Sequence, residues 1–354
     1  MSKAAASVEF RAVTKRYGVV PAVSDVSFTI QPGTLVTLLG PSGCGKTTTL
    51  RLIAGLEIAS EGRILIGEKD VTNLSADDRD VSMVFQSYAL FPHMSVLDNV
   101  AYGPTVQGMK KAEARAVAME KLALVGLQGL EQRGPSELSG GQQQRAAVAR
   151  ALVLEPLVLL FDEPLSNLDA KLRRRVREDI RELQRKLNLT VGYVTHDQEE
   201  ALAVSDRIIV MSNGRIAQDG TPVELYEQPA SLFVADFIGD ANLVDAAVTE
   251  ERGARGLLRV GDVDIELPRR GAPKGPVKLA IRPEAITMHA VQPSGPSLAG
   301  RVTKASYLGK HLEYSVETAL GSLFVVDRVK ANPLVAGNDA WITFAENGAI
   351  VVPG

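Results

Sequence analysis

Cysteine occurs once, at Cys44, tryptophan occurs once, and aromatic residues make up only 5% of the 354 positions. A single thiol excludes an intrachain disulfide and fits a reducing compartment. Long apolar runs are also missing. The most apolar stretches, such as Leu157 to Phe161, fall far short of the ~20 residues a membrane helix needs, so any contact with a bilayer is expected to come through partners. Met1 to Phe10 holds one lysine and no apolar centre, unlike a secretory signal. There is no excess of cations either: the formal net charge is -3. That argues against nucleic acid as the main partner, because its phosphates must be neutralised. No motif recurs along the chain, so it does not read as a tandem pair.

What is present suits a soluble globular protein, with 45% hydrophobic and 23% charged residues on a chain long enough for two cores. Up to about Gly239, short apolar runs alternate with helix-period segments, the pattern of an α/β domain around a mostly parallel sheet. Leu35 to Leu39, Leu157 to Phe161 and Val191 to Val194 read as buried strands, and Ser82 to Phe85 as a further one. Between residues 91 and 155 strand signals give way to helical ones, which predicts an inserted helical subdomain. From Asp169 to Leu187 the apolar positions Leu172, Val176, Ile180, Leu183 and Leu187 recur at helical spacing. The cations Lys171, Arg173, Arg174, Arg175 and Arg177 on that helix are interrupted by Glu178, Asp179 and Glu182, which reads as a solvated face. From residue 240 to 354 helical patterns vanish and glycine and proline rise. Leu312, Tyr314 and Val316 alternate with polar residues, so this half is expected to be a small all-β domain.

Gly40-Pro41-Ser42-Gly43-Cys44-Gly45-Lys46-Thr47 fits G-x-x-x-x-G-K-[ST] and lies between a predicted strand and a predicted helix. Glycines let backbone N–H groups converge on phosphate oxygens, and the helix beginning near Lys46 adds the positive end of its dipole. Lys46 is placed to reach the β- and γ-phosphates of ATP, and the Thr47 hydroxyl to ligate Mg²⁺, with Thr48 beside it. Cys44 contributes its backbone, and its thiol has no catalytic part. Downstream, the apolar run Leu159-Leu160-Phe161 ends in Asp162-Glu163. There Asp162 is expected to hold the metal through water and Glu163 to act as general base on the attacking water.

With Leu138-Ser139-Gly140-Gly141-Gln142, extended by Gln143-Gln144-Arg145, the sequence resembles the ATPase subunits of ABC transporters. Ser139 is a good helix N-cap, and the glycines expose N–H groups at a helix start. The resemblance implies that this segment faces the γ-phosphate held by a second subunit's phosphate loop, so that hydrolysis needs a dimer. It also implies that Tyr17 stacks on adenine, that Gln86 senses metal and water, and that Ser166-Asn167-Leu168-Asp169 crosses the dimer interface. His196, in Thr195-His196-Asp197, is implied to contact the γ-phosphate. The implied architecture is a P-loop NTPase core (residues 1–239) with the helical subdomain inserted, followed by an OB-like TOBE domain (residues 240–354).

Ile281-Arg282-Pro283-Glu284-Ala285-Ile286 resembles a segment of the TOBE domains of solute importers. The stretch Phe85 to Met94 resembles the importer form of the region that receives a permease coupling helix. The implied partners are a second ATPase subunit, two transmembrane permease subunits and, through them, a periplasmic or lipid-anchored solute-binding protein. The implied place is the cytoplasmic face of the inner membrane. Sugar importers of this type often continue Phe237-Ile238-Gly239 with a Ser-Pro-Lys-Met-Asn-like stretch. Here Asp240-Ala241-Asn242-Leu243 follows, which is closer to the ferric-iron, polyamine and phosphonate branch, iron first. The alternatives are a sugar importer and, from another class, a soluble ABC ATPase acting on nucleic acid or ribosomes.

Overall fold

A computed structural model describes residues 5–345 and 347–352, so the outermost ends of both domains read from the sequence lie outside the described residues. The chain opens with Val8–Tyr17 (β1), Val20–Ile30 (β2), Leu35–Leu39 (β3), Lys46–Ala54 (α1), Glu61–Ile66 (β4), Lys69–Asp70 (β5) and Val81–Val84 (β6). Three helices follow, Val96–Val106 (α2), Lys111–Leu124 (α3) and Gly140–Leu152 (α4). Val158–Asp162 (β7), Ala170–Leu187 (α5), Thr190–Val194 (β8), Gln198–Val204 (α6), Arg207–Ser212 (β9) and Arg215–Gly220 (β10) complete the first unit, which ends at Pro222.

Two sheets share this unit. The larger has the order β10-β9-β3-β8-β7-β6 and is parallel throughout except for the β9–β10 hairpin. Every residue of β3 and β8 is buried, and only Asp162 of β7 keeps partial exposure. Burial on both faces is why these segments read as unbroken apolar runs rather than alternating ones. Because β3, β8, β7 and β6 are parallel, their C-terminal ends lie along one edge, and the loops that leave it carry the phosphate loop, His196, Glu163 and Gln86.

The second sheet, β2-β1-β4-β5, is antiparallel and was not foreseen. Its pairing slips between Phe10 and Val13, where Ala12 adopts a left-handed φ of 49°, so the alternation that marks a strand is broken in the sequence. The helical insertion appears as expected in α2, α3 and α4. Along α5 the apolar stripe needs one correction: Val176 and Ile180 are buried, but Leu187 is exposed and Gln184 takes the inner position. Gln184 Nε2 donates to Gly33 O at 2.8 Å and Leu189 O at 2.9 Å, so an amide satisfies a loop where an aliphatic side chain could not.

The second unit starts at Val223. Its helices are Pro222–Glu227 (α7) and Leu232–Phe237 (α8), which the sequence reading had grouped with the first domain. Ten strands follow: Asn242–Arg252 (β11), Arg255–Val260 (β12), Val263–Pro268 (β13), Gly275–Ile281 (β14), Ile286–His289 (β15), Leu298–Tyr307 (β16), His311–Thr318 (β17), Gly321–Arg328 (β18), Asp339–Phe344 (β19) and Ala349–Val352 (β20). They form two antiparallel five-stranded sheets, β13-β12-β11-β14-β20 and β15-β19-β16-β17-β18, around a shared core that includes Leu258, Leu279, Val316, Val325 and Ile342.

Arg282 ties α7 and α8 to this β-structure. It is 1% exposed, and its guanidinium stacks 4.1 Å from the Tyr226 ring centroid. Nη1 donates to Ala235 O (2.8 Å) and Ile238 O, and Nη2 to Tyr226 O (2.5 Å), while the Tyr226 hydroxyl donates to Glu284. Removing the guanidinium orphans three carbonyls at once. Arg282→Met is therefore expected to destabilise this unit by about 3 kcal/mol, or about 10 °C in its melting transition. Calorimetry of the full chain checks this, and an unshifted profile would show that the carbonyls find other partners.

Candidate active site

The phosphate loop leaves β3 and ends at the first turn of α1. Gly40 has φ 155° and Gly45 φ 103°; a Cβ would lie 2.3 Å from Met211 O at the first and 2.5 Å from Ala22 O at the second. Only glycine fits either place. Helix α1 begins with no side-chain cap and no acid in its first turn, leaving the positive end of its dipole uncompensated. Lys46 lies beneath the loop, 6% exposed, and donates to Gly40 O at 2.7 Å and Pro41 O at 3.0 Å. The Cys44 thiol is buried, 3.8 Å from Lys46 Nζ.

Thr47 and Asp162, 115 positions apart, meet at 3.4 Å between Oγ1 and Oδ1. Burial pushes the Asp162 carboxyl above the ordinary carboxylate value; Arg51 works against this and Glu163 adds to it. A hydroxyl and a carboxyl group side by side are hard oxygen donors, and a divalent cation there would favour the charged form of Asp162. These residues therefore fit Mg²⁺.

Glu163 occupies a left-handed φ of 46°, unusual for a residue with a side chain. Its N–H donates to Val194 O at 3.0 Å, which fastens the end of β7 to the end of β8. Its Oε2 lies 3.1 Å from His196 Nδ1, and the imidazole is 59% exposed. Two residues assigned separately in the sequence are thus one hydrogen-bonded pair at the sheet edge.

Gln86 lies just past β6, exposed, and its backbone oxygen accepts from Asn167 Nδ2 at 3.1 Å. The predicted strand to Phe85 stops one residue earlier, so both Phe85 and Gln86 are loop residues. Tyr17 keeps an exposed ring beside Lys15, 5.0 Å away, and its hydroxyl is in hydrogen-bond reach of Glu57 and Thr48. The signature segment stands apart from these groups. Ser139 Oγ accepts from Gln142 N, and Gln142 Oε1 accepts from Ser139 N at 2.9 Å, a capping box that starts α4. A Cβ on Gly140 would meet Leu168 and one on Gly141 would meet Leu172, each under 3.0 Å, so the signature glycines back onto the start of α5. Asp169 caps α5 by accepting from Leu172 N at 3.0 Å.

Two contacts were not anticipated. Arg173, read as part of a solvated cationic face, instead bonds Asp197 at 3.1 Å and Leu168 O at 3.3 Å. Arg150 donates to Ala89 O at 2.7 Å and Tyr88 O at 3.0 Å, holding two left-handed residues of the loop after Gln86. Beside that loop, the Phe91 and Tyr102 rings lie 4.9 Å apart, and Tyr102 and Val106 are exposed.

The ABC transporter family matches residues 23–166, and the TOBE domain matches residues 279–352. Proteins named Fe(3+) ions import ATP-binding protein FbpC, from Agrobacterium fabrum and FbpC 1 from Rhizobium meliloti, are each 61% identical to this chain over 98% of both lengths. The chain belongs to the ABC transporter ATPase family. Among solved structures, a dimeric post-hydrolysis state of the ATP-binding cassette MJ0796 bound to ADP and Pi is similar at TM-score 0.54 and 33% identity. It covers 61% of this chain and 98% of its own, which matches the ATPase unit. This ABC ATPase therefore binds ATP and couples its hydrolysis to transport. No helix among its described residues is long and apolar enough to cross a membrane.

Proposed function

We propose that this ABC ATPase energises the import of ferric ions through two membrane-embedded permease subunits. It would work as a homodimer at the cytoplasmic face of the inner membrane, with the permeases served by a solute-binding protein. The observation that carries the reading is the end-to-end likeness to Fe(3+) import ATP-binding proteins, with the β-rich second unit included. The exposed Tyr102 and Val106, beside the half-buried Phe91 and a loop braced by Arg150, support docking of a permease helix there.

Each ATP lies between Gly40 to Thr48 of one subunit and Ser139, Gly140, Gly141 and Gln142 of the other, with Tyr17 on the adenine and Asp169 at the interface. Thr47, Asp162 and Gln86 would hold Mg²⁺, which when bound would neutralise phosphate charge. Glu163 takes the proton of the attacking water, and His196 orients at the γ-phosphate. Closing the dimer on ATP moves the permeases, and hydrolysis reopens it.

Purifying tagged Glu163→Gln protein with ATP from detergent-solubilised membranes tests this reading. Two multispanning chains should co-purify, and their associated binding protein should take Fe³⁺ in preference to a polyamine, a phosphonate or a sugar. Preference for one of those other solutes overturns the iron assignment, and recovery of ribosomes or DNA without membrane chains overturns transport.

A further inference from the structure

The loop Ser166 to Asp169 is fastened on both sides to other parts of the site. Asn167 Nδ2 holds the Gln86 carbonyl at 3.1 Å. On the opposite side, Arg173, in the first turn of α5, reaches two acceptors: Nη2 donates to Leu168 O at 3.3 Å and Nη1 to Asp197 Oδ2 at 3.1 Å. Asp197 directly follows His196. Its Oδ1 accepts from Glu200 N at 2.9 Å, capping α6, and its own N–H donates to Thr195 Oγ1 at 3.0 Å. The turn that carries His196 is thus closed on itself and capped onto α6, and Arg173 joins it to the loop after Glu163.

We infer that Arg173 is a positioning residue for hydrolysis. It locks the Thr195-His196-Asp197 turn against Leu168, so that the imidazole stays at Glu163. This rests on the reading of Glu163 and His196 as the hydrolytic pair. The cavity framed by Glu163, Arg173, His196 and Asp197 is about 40 Å³, too small for a substrate, so Arg173 acts here through its neighbours.

A surface ion pair of this exposure, 35% and 29%, contributes little to stability. A guanidinium that spans two separate loops fixes their distance, which an ammonium cannot do in the same way. Catalysis falls steeply when a reacting group is displaced by an ångström, whereas Lys46 and the phosphate loop are held by their own contacts, away from Arg173.

The experiment is steady-state ATP hydrolysis by the purified full-length chain. Arg173→Met should lower kcat about tenfold with KM for ATP unchanged within about twofold. Asp197→Asn keeps an oxygen to cap α6 and gives up the charge, and it should do the same. The double variant should be no slower than either single one, because both remove one link. Arg173→Lys should recover part of kcat. A full kcat in Arg173→Met, a loss confined to KM, or losses that multiply in the double variant would each overturn the assignment. Should Arg173→Met fail to fold, Asp197→Asn and Arg173→Lys decide it, an unaltered kcat in both being the contrary result. Glu163→Gln is measured alongside. If it hydrolyses normally, the underlying reading falls; if it is inactive while Arg173→Met is fully active, only the role of Arg173 falls.

Discussion

Glu163→Gln is expected to lower ATP hydrolysis about a thousandfold while leaving nucleotide affinity unchanged. The substitution keeps the size and shape of the side chain, and the amide can still meet His196, so the 3.1 Å contact need not be lost. What disappears is the capacity to accept a proton from water. The left-handed backbone at this position is stabilised by the Glu163 N–H to Val194 O bond at 3.0 Å, which does not depend on the side chain. The phosphate loop and the Thr47–Asp162 pair belong to other residues and stay as they are. With binding intact and hydrolysis blocked, the protein should accumulate as an ATP-bound dimer, visible as a doubled mass in size-exclusion chromatography with ATP and a single mass without it. Hydrolysis at the normal rate would move the general base elsewhere in the chain.

The same edge of the sheet explains which parts of the site were legible from the sequence. The phosphate loop is contiguous, and each of its glycines answers a backbone demand visible in eight residues. Asp162 and Glu163 are marked by the apolar strand they terminate. His196 and Gln86 follow β8 and β6, the two parallel strands that flank β7, so the family resemblance and the topology converge on them. Arg173 was misread because a cation on an amphipathic helix carries no local sign of facing back toward its own N-terminal loop; its charged partner, Asp197, lies 24 positions away at the start of α6. Leu187 and Gln184 were exchanged for a related reason. Periodicity favours the aliphatic residue, but the open carbonyls of Gly33 and Leu189 need a donor. The first antiparallel sheet was hidden by its bulge, and the central role of Arg282 by the fact that its three acceptors come from α7, α8 and the residue after α8.

Lys46→Met is expected to weaken ATP binding at least about a hundredfold without lowering the stability of the nucleotide-free protein. Lys46 is 6% exposed, and its ammonium is held by two backbone carbonyls with no carboxylate in ion-pair distance among the described residues. An ammonium buried with no direct ion pair, Asp162 acting on it only at longer range, is a cost to the fold, which methionine, with a stem of similar length, removes. The carbonyls of Gly40 and Pro41 lose a donor, and that partly offsets the gain. For the nucleotide the balance runs the other way. The polyphosphate is the anion that the buried ammonium and the uncapped start of α1 both lack, and charge-assisted hydrogen bonds to phosphate are among the strong ones. Two melting temperatures per protein separate these effects. Without ATP the variant should melt at or above the parent, and with saturating ATP it should lack most of the upward shift that the parent gains by linkage. A variant that melts lower without nucleotide yet keeps the full ATP shift would make Lys46 a structural strut under the loop, and the phosphate would then be held by the backbone N–H groups and the helix end alone.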